Sequence, residues 1–142
     1  MALSKILNAS VTDSTLTTTK LATPNLGRRN IVINGAMNVA QRATSATGLG
    51  GNADSYHTID RFKLGVEGTT AGRLTMTQDS SGPSGFANSL KLACTTADTS
   101  IAAGENLVLV QGLEGQDLQQ FKKGTSDAEK FTVSFYVKGH DA

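Results

Sequence analysis

Residues 131–138 read Phe-Thr-Val-Ser-Phe-Tyr-Val-Lys, and this stretch decides how the chain is understood. In an extended backbone Phe131, Val133, Phe135 and Val137 fall on one side and Thr132, Ser134, Tyr136 and Lys138 on the other, which is the two-residue period of a half-buried strand. The spacing predicts a sandwich strand with one core face. Little sequence follows it to supply a second neighbour, so the expectation is that a partner covers it, or that residues 30–142 are the front part of a longer domain.

Working outward, the same alternation recurs upstream. Asp60, Phe62, Leu64 and Val66 share one face of a strand predicted from Thr58 onward; Leu74 and Met76 alternate with Thr75 and Thr77; Leu90, Leu92 and Cys94 alternate with Lys91 and Ala93. Glu105 to Leu113 holds four consecutive apolar residues, as a strand covered on both faces does. Asn30 to Ile33 is a further short strand, Asn34-Gly35 a tight turn, and Met37 to Arg42 a resumed strand. Residues 43–55 and 80–85 are Gly- and Ser-rich loops. Leu118 and Phe121 suit one or two helical turns packed on a sheet edge, closed by Gly124 as the C-terminal cap. These elements predict an all-β fold, an antiparallel β-sandwich or jelly roll.

The 142 residues, 38% hydrophobic and 5% aromatic, suffice for one modest core. A net charge of +1 gives no basic surface of the kind nucleic acid requires, so nucleic acid is not an expected partner. Cys94 is the only cysteine, which excludes an internal disulfide and a multi-thiolate metal site and suggests a small core residue. No apolar run approaches the about 20 residues of a membrane span, and residues 1–10 lack the apolar block of a secretory signal. Membrane insertion and export are not expected.

Residues 1–29 differ in character from the rest. Lys5, Lys20, Arg28 and Arg29 stand against Asp13 alone, and Ile6, Leu7, Val11, Leu16, Leu21 and Leu26 are spaced by Thr/Ser/Asn runs. Such a segment cannot bury enough apolar surface alone to offset its ordering entropy. It reads either as a disordered leader or as an extended N-terminal arm whose Leu and Ile residues anchor it on a partner or on sister copies.

Catalytic chemistry finds little support. Asp54, His57 and Asp60 stand at three-residue intervals, which in a strand point to opposite faces and do not converge on a metal. Gly48-Leu49-Gly50-Gly51 lacks the Lys-Ser/Thr of a phosphate loop, no GxSxG elbow occurs, and His140 has only Asp141 beside it. Glu105, Glu114 and Asp117 are the nearest approach to a carboxylate set. The chain is read as non-enzymatic, with no catalytic residue, no metal and no cofactor. Asp60 leads the inward face of its strand and needs a cation, with Arg42 and Arg61 as candidates for a structural ion pair. Tyr136, on the polar face of its strand, is the candidate glycan contact, with packing in a chain interface or under a loop as the alternative.

The segments NIVINGAMNVAQR, YHTIDRFKL, LVQGLEGQDLQQFKKG and FTVSFYVKG, in this order from Asn30 to Gly139, resemble the carbohydrate-binding-module-like, galactose-binding-type jelly rolls of bacteriophage tail fibres and virion appendages. VTDSTLTTTKLATPNLG is similar to the arms that precede such domains. The resemblance implies a viral structural protein, a homotrimer made in the host cytoplasm and placed in the virion as a tail appendage. Its N-terminal arm would meet adaptor or nozzle proteins near the portal, and its distal parts would take part in host attachment. The alternative it implies is a lectin-like module for host surface polysaccharide.

Overall fold

In a computed structural model the described residues are 30–68 and 71–139. The chain divides into two units, Met1–Ile31 and Val32–Ala142, and the fold below is that of the second. The arm residues Ile6, Leu7, Val11, Leu16, Leu21 and Leu26 lie outside the described residues, as does His140.

Among the described residues six strands follow in order: β1 (Ser45–Leu49), β2 (Asp54–Ser55), β3 (Phe62–Glu67), β4 (Arg73–Asp79), β5 (Ser89–Thr96) and β6 (Asn106–Gln111). They form two three-stranded antiparallel sheets, ordered β1-β4-β5 and β2-β3-β6. The fold is all-β, an antiparallel sandwich. Alternation explains its interior. Phe62, Leu64 and Val66 from β3 meet Leu49 from β1 and Met76 from β4, and Ile59 joins them from the turn before β3. Leu74, Leu90 and Leu92 pack against this cluster from β4 and β5.

Several sequence expectations need correction. Residues 43–55, read as loop, contain β1 and β2. Their own sequences, SATGL and DS, carry little strand signal, and their order comes from pairing with β4 and β3. Gly48, at φ 68°, lies where the β1 register shifts between Ala46 and Leu49, a bulge that a side chain would oppose. Residues 30–33 and 37–42 form no strand. The Asn34-Gly35 turn is present, with Asn34 at φ 58°. The Asn34 side chain takes over what a ladder would have done. Its amide nitrogen donates to the carbonyls of Val39 and Asp60, both at 2.9 Å, and its oxygen accepts the Val39 N–H at 3.0 Å.

After β6, one α-helical turn, α1 (Gly115–Leu118), continues into a 3-10 turn at Gln119–Phe121. The left-handed cap falls on Lys122, whose N–H bonds the Gln119 carbonyl, two residues ahead of the expected Gly124. The largest departure concerns residues 131–138. They join no sheet, and no backbone hydrogen bond of this stretch is found among the described residues.

Candidate assembly surface

The β3–β6 ladder has an even register in which Leu64 pairs with Leu109 and Val66 with Leu107. Residues directly opposite in an antiparallel ladder project to the same face, so Leu107 and Leu109 share the core face of β3. Leu64 and Val66 are 0% and 2% exposed, whereas Leu109 and Leu107 are 45% and 48% exposed. The core is therefore finished over β3 and bare over β6. Val108 and Val110, on the opposite face, are also exposed. The expectation that this strand is covered on both faces is corrected: its four successive apolar residues are 43–48% exposed, on both faces. β6 is also the edge of its sheet, and no strand lies beyond it among the described residues.

Between the two sheets on this side runs a groove of about 250 Å³ lined by Val66, Leu74, Cys94, Ile101 and Leu107. Cys94, expected in the core, is exposed here because β5 is the corresponding edge of the other sheet. Ile101, in the β5–β6 loop, is among the most exposed apolar side chains.

Residues 131–138 present a second exposed apolar stretch. Phe131, Val133, Phe135 and Val137 are 56–84% exposed. Two aromatic contacts hold the stretch to its own chain. The Phe131 ring lies 5.2 Å from that of Phe121, with the Lys123 ammonium 5.2 Å over it. Further along, Tyr136 tilts against Phe86 in the β4–β5 loop, ring centres 6.0 Å apart. Tyr136, the candidate glycan contact, is thus an exposed aromatic on an exposed aromatic neighbour.

The polar candidates are placed as local fastenings. Asp60 accepts from Arg42 Nη1 at 3.4 Å and from the Gln41 N–H at 3.3 Å. Arg61, the other candidate cation, reaches Glu114 at 3.5 Å instead. Its φ of 74° turns its side chain away from the direction an ordinary strand residue would take. Arg42 also lies over the Tyr56 ring at 5.5 Å. Asp54 pairs with Lys63 at 2.8 Å, a hydrogen bond that raises the Lys63 pKa. Asp54, His57 and Asp60 do not converge, and among the described residues no group of three His, Cys, Asp or Glu side chains is placed to hold a metal ion. No helix among the described residues is long and apolar enough to cross a membrane.

Comparisons with protein families, with curated proteins and with solved structures found no match.

Proposed function

We propose that this protein is a structural subunit of a bacteriophage particle, a tail fibre or tail appendage that works as a homo-oligomer and contributes to host attachment. The observation that carries the reading is the uncovered apolar surface along β6 and residues 131–138. Withdrawing a Leu, Val or Phe side chain from water is worth about 1.5–3 kcal/mol, against a net domain stability of about 5–15 kcal/mol. With Leu107, Leu109, Val133 and Phe135 all open to solvent, covering them matters on the scale of folding itself. A surface of this kind suits a subunit that is completed on assembly.

The virion setting, the three-fold symmetry and synthesis in the host cytoplasm come from the resemblance of residues 30–139 to tail-fibre jelly rolls. In this reading residues 1–29 are the attachment arm that engages adaptor or nozzle proteins. A second reading, a glycan-binding module, is favoured by one feature, the pairing of Tyr136 with Phe86 on an open surface. Deleting residues 1–29 separates the two. The structural reading expects loss of incorporation into particles. The glycan reading expects retained binding to host polysaccharide and loss of that binding on Tyr136→Ala.

A further inference from the structure

We infer that residues 131–138 of one copy add as an antiparallel strand to the free edge of β6 in a second copy. The inference rests on the homo-oligomeric reading above and names the contact that makes it. Donor and acceptor are both present in one chain, and both are unused among the described residues. β6 ends its sheet with no neighbour on its outer side among the described residues. An unpaired edge of this kind is a template for another strand. Residues 131–138 have the alternation of a strand and no ladder.

The chemistry selects a register. Placing Ser134 opposite Val108 in the antiparallel sense puts Val133 opposite Leu109 and Phe135 opposite Leu107. The donor's apolar side then lies on the bare core face beside the groove, and Thr132 and Ser134 lie on the outer face. The only charge in the donor, Lys138, comes opposite Gly104 on the outer face, the face that Glu67 of β3 shares through its pairing with Asn106. Slipping the register by one residue would turn Phe131, Val133, Phe135 and Val137 outward and lose every one of these matches.

A second copy fits better than the chain's own segment. Within one chain the stretch is tied to Phe121 at its start and to Phe86 through Tyr136, and it forms no ladder with β6. Adding to its own β6 would require releasing these contacts, whereas a neighbour can receive it as it stands. Because each copy gives one strand and accepts one, the contact closes either as a reciprocal two-fold exchange or as a head-to-tail ring.

Two single-cysteine chains test this, C94A with V108C and C94A with S134C, mixed under oxidised glutathione. Opposed residues at a non-hydrogen-bonded pair lie about 4.5 Å apart between Cα atoms, close to the range a disulfide spans. The expected result is a reducible cross-link between the two different chains, absent when S134C is mixed with a T77C chain. A cross-link to V110C instead of V108C supports the contact with the register moved by two. The inference is overturned if neither chain links to S134C while native mass shows an oligomer, in which case the homo-oligomeric reading stands and its contact lies elsewhere. A monomer at every concentration overturns both. Hydrogen exchange on the unmodified protein gives a reading that needs no variant. Amides of residues 131–138 should be slowed at least about ten-fold in the oligomer and released on dilution; protection that does not change with concentration indicates closure within one chain and rejects exchange between copies.

Discussion

Leu64 and Leu109 stand directly opposite each other in the β3–β6 ladder, and the first is sealed in the core while the second is nearly half open to solvent. Neighbours on one face of one sheet ordinarily share one environment. That these two do not marks where cover ends: sheet β1-β4-β5 reaches β3 and stops short of β6. The contrast gives a pair of matched substitutions. Leu64→Ala should cost about 2–5 kcal/mol, the range for emptying a filled core site. Leu109→Ala should cost about 1 kcal/mol or less in a dissociated chain, as substitutions at open positions do, and substantially more in the assembled form. Chemical denaturation at low and high protein concentration checks both. An equal, concentration-independent loss for the two variants would show that Leu109 is already covered within its own chain.

Asn34 fastens the turn before the first sheet to the entry of β3 through three hydrogen bonds to Val39 and Asp60. Each such bond is worth about 0.5–1.5 kcal/mol net, and Asn34 also tolerates its φ of 58° better than most residues. Asn34→Ala should therefore destabilise the domain by about 2–4 kcal/mol. Asn34→Gly should recover the conformational share alone and remain clearly below wild type. A thermal shift near zero for Asn34→Ala would remove Asn34 from this role.

Gly50 follows β1, and a Cβ placed there would run into the backbone carbonyl of Gly72 and crowd the Arg73 side chain. The carbonyl cannot rotate aside as a side chain can. Gly50→Ala should cost about 1–3 kcal/mol, the scale of overpacking, whereas Gly115→Ala, where the space is open, should be near neutral. The two variants measured side by side in urea decide it.

Acid should loosen two loops before the core yields. The Asp79 carboxylate accepts the Ser81 N–H at 2.8 Å, and the Asp98 carboxylate accepts the Ser100 N–H at 2.9 Å; in each case that bond is the chief cause of a pKa held below the ordinary carboxylate value. Asp98 also accepts the Ala71 N–H at 3.4 Å. Because the folded values are the lower ones, the stabilisation is full above the ordinary value of 3.8 and is lost as pH falls through the depressed folded values. Unfolding midpoints should be flat down to about pH 5 and drop toward about pH 2. Replacing both residues by Asn should flatten that fall; a doubly substituted chain with an unchanged acid profile would assign the acid sensitivity to other groups.

The strands legible in the sequence were those whose own side chains alternate. β3, β4, β5 and β6 follow the spacing of Phe62, Leu64 and Val66, of Leu74 and Met76, of Leu90 and Leu92, and of Leu107 to Val110. β1 and β2 were illegible because SATGL and DS take their order from β4 and β3, a property of the partner and not of the segment. Asp60 announces by its place on an apolar face that it needs a cation. Which arginine it takes depends on the backbone of Arg61, and nothing in the letters Asp-Arg gives that residue's φ. The stretch at 131–138 illustrates the converse case. Its pattern is the clearest in the chain and it is unpaired among the described residues, since alternation tells how a segment is able to pair and not whether a partner is at hand.

The mass of the chain in native solution, followed over a concentration series, shows whether copies join. The expected result is a discrete oligomer of few copies that dissociates on dilution, with the β6 amides becoming exchangeable as it does. A monomer at all concentrations, with the outer edge of β6 already protected, would contradict it.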